Sequence, residues 1–172
     1  YLLNKHTEIN DLATFVKPLT KGVHIGLISD AGCPGVADPG AEIVKLAHQQ
    51  SIKVRPLVGP SSILLGLMAS GFSGQSFSFH GYLPHDTALR NKQIKILESR
   101  AKNEKQTQLF IETPFRNDKL LDELIKTLHK DTMLCVAVDL TLQTETIVSK
   151  SISEWKKNKH SFHKRPAIFL LF

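Results

Sequence analysis

Gly26-Leu-Ile-Ser-Asp-Ala-Gly-Cys-Pro-Gly-Val-Ala-Asp-Pro-Gly40 is the stretch on which the reading of this chain turns. An apolar run, Val23 to Ser29, breaks off into a loop holding Gly32, Gly35 and Gly40 together with Pro34 and Pro39. Glycine lets a backbone approach a ligand closely, and proline stiffens the loop that does so. Such a loop at the exit of a predicted strand is where an open α/β sheet holds a small molecule. Asp38 before Pro39 reads as a helix-start signal that fixes the loop rather than meeting a ligand.

Working outward, Ile9 to Leu19 reads as a short helix, Ala41 to Gln50 as a second, and Ile52 to Leu57 as a second buried strand. Gly59-Pro60 then opens a helix over Ser61 to Ser70. Strand, helix, strand, helix in this order predicts a parallel sheet with crossover helices. A boundary is expected at Leu83-Pro84-His85-Asp86, giving an α/β lobe over 1–84 and a second over 85–172. The second lobe reads as helices over 89–102 and 117–129, strands over 108–111, 133–139, 144–150 and 167–172, and a polar loop over 156–165. The pair 133–139 and 144–150 suits a hairpin, so this lobe should carry a mixed sheet.

The chain has 172 residues, 41% of them hydrophobic, and a formal net charge of +6. The charge is uneven: residues 1–85 carry six Lys/Arg against five Asp/Glu, and residues 86–172 carry sixteen against eleven. A basic second half suits a polyanionic partner such as RNA, although a lysine-rich solvated surface is the plainer reading. No apolar run approaches the ~18 residues of a membrane helix. Two cysteines, Cys33 and Cys135, are too few for a disulfide framework, so a reduced cytoplasmic setting is expected. The chain opens on Tyr1 rather than Met, as it would if an N-terminal segment had been lost.

Several motifs carry chemistry. In Ser29-Asp-Ala-Gly-Cys-Pro-Gly35, backbone amides suit a carboxylate or a cofactor, and Asp30 suits an ammonium or hydroxyl group. Val58-Gly-Pro-Ser-Ser-Ile63 offers helix N-terminal amides and two hydroxyls. In Phe77-Ser-Phe-His-Gly-Tyr-Leu-Pro84, His80 or Tyr82 suits a cleft wall, a core or a hinge equally. In Phe110-Ile-Glu-Thr-Pro-Phe-Arg-Asn117, Glu112 and Arg116 read either as a buried ion pair holding the loop or as site residues, and Phe beside Arg suits stacking on a base. His160 and His163 have ligand-like spacing but no companion Cys, Asp or Glu close by, so no metal site is expected. Neither a P-loop lysine nor Gly-x-Gly-x-x-Gly is present, which argues against ATP and NAD.

These motifs resemble, in order, the signatures of the small-subunit ribosomal RNA methyltransferase I family within the tetrapyrrole methylase superfamily. Residues 29–40 resemble the first signature and Pro56-Leu-Val-Gly-Pro-Ser-Ser62 the second. Gly81-Tyr-Leu-Pro84 resembles the third and Ile111-Glu-Thr-Pro-Phe-Arg116 the fourth. Asp139-Leu-Thr141 with Glu145-Thr-Ile147 resembles a fifth, and Arg165-Pro-Ala-Ile168 the closing strand. The resemblance implies a two-lobed α/β fold, with a parallel-sheet first lobe and a mixed-sheet second lobe. It also implies a homodimer and S-adenosylmethionine bound in the cleft between lobes. Asp30, Ala31, Gly32, Cys33, Ser61 and Ser62 would approach the cofactor from the first lobe, and Ile111, Ala137, Pro166 and Ala167 from the second. The implied substrate is a cytidine ribose 2′-hydroxyl of small-subunit rRNA, with Arg90 and Arg116 as candidate RNA contacts; a tetrapyrrole or other small-molecule acceptor, and a non-catalytic RNA-binding module that keeps the cofactor fold, are the alternatives. A weakly acidic hydroxyl needs a base, for which Asp30 and Glu112 are the candidates. This chain departs from the family in lacking its opening strand and Gly-Thr-Pro-type loop. It also has Cys33 where Thr is usual, and Leu142 where the family has Lys after the fifth motif.

Overall fold

A computed structural model describes residues 1–172 except Lys5 and Ala31, with Ile9 and Asn10 described in their backbone alone. The chain divides into two compact units, Tyr1–Ser61 and Ser62–Phe172.

In the first unit, helix α1 (Ile9–Val16) runs into a 3-10 turn, Lys17–Lys21, and packs on α2 (Gly40–Gln49). Leu12, Val16 and Ala47 are buried there. Both helices follow the periodicity that predicts them. The strands expected over 23–29 and 52–57 do not form, and among the described residues the first unit has no strand. The parallel ladder expected of the first lobe is therefore missing from it. The reason is lateral: a strand exists only where a neighbour takes its N–H and C=O groups, whatever its propensity. Here Ile28 and Leu57 are each 90% exposed, and among the described residues no strand pairs with either segment.

The second unit is a five-stranded mixed sheet in the order β1-β2-β5-β3-β4. Its strands are β1 (Phe77–Tyr82), β2 (Thr107–Ile111), β3 (Met133–Val138), β4 (Thr146–Ser151) and β5 (Ala167–Leu171). The β1–β2 pair is parallel, and the crossover that a parallel pair requires is α4 (Thr87–Glu104). The other pairs are antiparallel, with β3 and β4 forming the expected hairpin. β3 and β5 are central and read as unbroken apolar runs because both of their faces are covered.

Period-two alternation sorts the side chains of the sheet. Leu109, Cys135, Ala137, Ile168 and Leu170 face α3 (Ser62–Ser70) and its Leu67. Phe110, Leu134, Val136, Val138, Phe169 and Leu171 share the opposite core with Ile94 and Leu97 of α4 and with Leu120, Leu121 and Leu124 of α5 (Asn117–Thr127). Phe110 and Phe169 are cross-strand partners whose rings stack at 5.9 Å. The short helix α6 (Ile152–Trp155) closes this core, and the buried Trp155 donates its indole N–H to the Leu134 carbonyl at 2.9 Å.

The compact units divide at 61/62, whereas the composition break that sets the expected boundary lies at 84/85. Helix α3 packs on β3, β4 and β5, and β1 pairs with β2, so residues 62–84 are built into the second unit. Ser149 Oγ donates to the Ser70 carbonyl at 2.8 Å, and Thr107 Oγ1 to that of Ser73 at 2.7 Å. A composition break at Pro84 is local, whereas a domain is defined by what packs together.

Candidate functional site

In the first unit the 29–40 loop is organised by Asp38. Its carboxylate accepts from the Gly35 amide at 3.1 Å, the Gly40 amide at 2.8 Å and Ser29 Oγ at 3.0 Å. The Gly35 amide holds this carboxyl below the usual carboxylate range, joined by Gly40 and Ser29 against the opposing effect of burial. Asp38 is thus a loop anchor. Gly40 is tightly enclosed, since a Cβ there would lie 2.7 Å from Leu27 Cδ2, 2.9 Å from Asp38 Oδ1 and 3.1 Å from the Gly35 nitrogen.

The candidate ligand face is the other side of this loop. Gly32 is exposed, has φ +123°, and would meet nothing within 4 Å through a Cβ. Asp30 is exposed, and its carboxylate has no partner among the described residues. Ala31 lies outside the described residues. Cys33 Sγ–H donates to the Pro60 carbonyl at 3.7 Å, joining the first Gly/Pro loop to the second. Ser61 follows directly and is half-buried, so Asp30, Gly32, Cys33 and Ser61 are gathered in one unit.

In the second unit, strand register gathers residues far apart in sequence. Ile168 of β5 pairs with Ile111 on one side and Ala137 on the other, and Ala167 pairs with Val138. The Asp139 amide donates to the Pro166 carbonyl at 2.9 Å, extending the ladder by one step. Ile111, Ala137, Pro166 and Ala167 therefore meet at one end of three adjacent strands. The helix on the Ala137 and Ile168 face is α3, whose first residue is the exposed Ser62. Its close approach depends on Gly66, where a Cβ would lie 2.9 Å from Ile168 Cγ2 and 3.8 Å from the Ala137 Cβ. Sequence reasoning passed over Gly66; a glycine inside an apolar helix was the available signal.

Two buried carboxylates stand just beyond β2 and β3. Glu112 Oε1 accepts from Arg116 Nη2 at 2.6 Å, Arg116 Nε at 3.1 Å and the Thr113 amide at 2.6 Å. Arg116 also meets His85 Nδ1 through Nη1. Of the two readings left open for this pair, the geometry is that of an ion pair holding the turn. Asp139 accepts from Arg165 Nε at 2.7 Å and Thr144 Oγ1 at 2.8 Å. Burial opposes its ionisation, yet the Arg165 and Thr144 hydrogen bonds and the Arg165 charge together hold it below the usual range. Asp139 and Thr141 both have left-handed backbones, with φ +51° and +72°. Arg165 was recognised only as part of a closing motif, because its partner lies 26 residues away in the chain.

Arg90 does not present itself as an RNA contact. Its side chain faces inward from α4, with Nε 2.5 Å and Nη2 2.8 Å from the Glu123 carboxylate. Nη1 donates to the Pro84 and His85 carbonyls, each at 2.9 Å, and Nη2 reaches Thr87 Oγ1 at 3.3 Å. All five N–H donors of the guanidinium are matched. The sequence of a basic helix does not say which cation faces inward. Arg116 keeps a third of its side chain exposed. The two discounted histidines are ring-packed, His160 against Trp155 and His163 against Phe115.

Comparison with known proteins adds the relatives. The chain is 34% identical over 154 residues to the ribosomal RNA small subunit methyltransferase I of Vibrio cholerae, covering 90% of this chain and 52% of that protein. It is 33% identical to the protein of the same name from Buchnera aphidicola subsp. Schizaphis graminum, covering 98% and 59%. The chain thus spans little more than half the length of either. Among solved structures, the methyltransferase CobJ superposes with a TM-score of 0.65 at 14% identity, covering 99% of this chain and 73% of that one. A uroporphyrin-III C-methyltransferase from Thermus thermophilus, complexed with S-adenosylhomocysteine, superposes with a TM-score of 0.55 at 15% identity, covering 95% and 72%. The sequence pattern of the tetrapyrrole (corrin/porphyrin) methylases matches residues 2–156, and with that match over most of its length the chain belongs to this family.

Proposed function

We propose that this chain works in an S-adenosylmethionine-dependent methyltransferase whose acceptor is a ribose 2′-hydroxyl of small-subunit ribosomal RNA. The observation that supports it most is the Cys33–Pro60 contact. It brings the exposed, left-handed Gly32 loop beside the loop leading into Ser61 and Ser62. An open backbone flanked by hydroxyls suits the polar edge and carboxylate of a nucleoside-bearing amino acid. The rRNA acceptor is carried by the names of the relatives and by the excess of cations in residues 86–172.

On this reading Asp30, Ala31, Gly32, Cys33, Ser61 and Ser62 hold the cofactor, as do Ile111, Ala137, Pro166 and Ala167 at the strand ends. S-adenosylmethionine brings its own reactivity, a methyl group on a sulfonium. The protein has to orient the acceptor and exclude water. Asp30, whose carboxylate has no partner among the described residues, takes the proton from the ribose hydroxyl. Glu112 acts at one remove, keeping Arg116 and the 113–116 turn in place, and Arg116 meets RNA through its exposed edge. The same reading carries a cytoplasmic setting and a homodimer, which sedimentation of the purified protein checks.

The experiment is transfer of labelled methyl from S-adenosylmethionine to small-subunit rRNA, run beside calorimetry of S-adenosylhomocysteine. Cofactor binding with no transfer to RNA rejects the acceptor. Absence of both rejects the whole reading.

A further inference from the structure

We propose that Phe115, with Lys164 over its ring and His163 at its edge, is a stacking platform for an unpaired RNA base, the lysine loop 156–165 taking the adjoining phosphates. This rests on the RNA reading above and names where on the second unit the strand docks.

A single exposed phenylalanine means little by itself. What distinguishes Phe115, 68% exposed, is its surroundings. Lys164 Nζ lies 5.9 Å from the ring centroid, and the His163 ring meets it edge-on at 6.1 Å. Lys164 has φ +62°, a backbone conformation uncommon outside glycine, and its amide donates to the Pro114 carbonyl at 2.9 Å. The chain thus holds a lysine in an unfavourable conformation directly beside the turn that carries the ring. Unusual backbone of this kind gathers at binding sites.

The loop behind it is fixed and one-signed. Residues 156–165 hold Lys156, Lys157, Lys159, Lys164 and Arg165, two histidines and no carboxylate. Asp118 accepts from Ser161 Oγ and from the Phe162 amide, each at 2.6 Å. The buried Asn117 donates to the Arg165 carbonyl at 2.6 Å and the Phe162 carbonyl at 3.3 Å, while Phe162 itself is buried. Asn117 and Asp118 directly follow the Phe115 turn, so ring and loop are one construction. Its carboxylates are all turned to partners, Glu112 to Arg116, Asp118 to the loop and Asp139 to Arg165. The exposed charges of the loop are cations.

A ring face beside anchored lysines suits a single strand, whose bases have free faces, rather than a duplex. An exposed cation over a ring is held weakly, and the long lysine stem can carry Nζ aside to a phosphate as a base enters. Because the loop is already pinned, little ordering is left to be done on binding.

The test measures binding of a fluorescein-labelled, cytidine-containing single-stranded oligoribonucleotide by anisotropy at several salt concentrations. The full-length protein is compared with its Phe115→Ala, Phe115→Trp and Lys164→Gly variants. Phe115→Ala should weaken binding about tenfold or more, and Phe115→Trp should retain it. Lys164→Gly suits the left-handed backbone and removes one cation, so it should flatten the salt dependence by about 0.7 in slope. S-adenosylhomocysteine affinity should be unchanged in all three. Native-like binding by Phe115→Ala overturns the platform and leaves the RNA reading standing, as does equal loss in Phe115→Trp. A changed oligomeric state with retained RNA affinity makes the patch a protein interface and overturns it too. If the native protein binds no RNA, the platform and the rRNA acceptor fall together, while cofactor binding is judged separately by calorimetry.

Discussion

The Cys33 thiol reaches the carbonyl of Pro60 at 3.7 Å, so two loops 27 residues apart in sequence are neighbours in the fold. Each loop alone is a stiff, glycine-bearing connection. Side by side they gather Gly32, Cys33, Pro60 and Ser61 within the first unit, and the cofactor proposal depends on that adjacency.

Gly32→Val tests it most directly. At φ +123° a β-branched residue is strained by about 1–3 kcal/mol, and its side chain would project into the open space above the loop. S-adenosylhomocysteine binding should fall below calorimetric detection while the circular-dichroism spectrum stays native. Unchanged affinity would remove the 30–33 loop from the cofactor site.

Gly66→Val probes how α3 sits on the sheet. A Cβ at 2.9 Å from Ile168 Cγ2 forces helix and strand apart, and overpacking of this kind costs about 1–3 kcal/mol. The urea midpoint should drop accordingly. Because Ile168 pairs with both Ile111 and Ala137, cofactor affinity should weaken with it.

Arg90 and Glu123 form a nearly buried pair, with side chains 5% and 13% exposed. Arg90→Ala leaves an unpaired carboxylate and should cost about 3–5 kcal/mol in denaturant titration. The Arg90 hydrogen bond holds the Glu123 carboxyl below its ordinary 4.5, with burial opposing and the Arg90 charge assisting. The pair's contribution is therefore complete above pH 4.5 and is lost as pH falls through the lower folded value. Glu123→Gln should shrink that acid-side loss. RNA affinity of a folded Glu123→Gln protein should match the native one, since no surface cation is altered.

Asp139→Asn separates charge from backbone. Asn tolerates the φ +51° of this position, so the turn should persist while the Arg165 interaction weakens by about 1.5–3 kcal/mol. The native carboxyl lies below its ordinary 3.8, so its stabilisation is present above that pH and disappears as pH falls through the folded value. Stability curves of the two proteins should converge in acid; a constant gap across pH would contradict the ion pair.

Much was legible along the chain because it is local. The apolar spacing of Leu120, Leu121 and Leu124 marks α5, the unbroken runs 133–138 and 167–171 mark central strands, and Asp38 announces itself as a loop anchor by its place before Pro39. Resemblance of the motifs adds the family, since their order survives in the sequence. Only the tertiary structure decided what packs on what. It left 23–29 and 52–57 without ladders, moved residues 62–84 into the sheet-bearing unit, and turned Arg90 inward. It also set Gly66 against Ile168, paired Asp139 with Arg165, and stood Lys164 over Phe115. The physical reason is the same throughout: propensity and periodicity belong to neighbours in sequence, whereas hydrogen-bond partners and excluded volume come from segments far away along the chain.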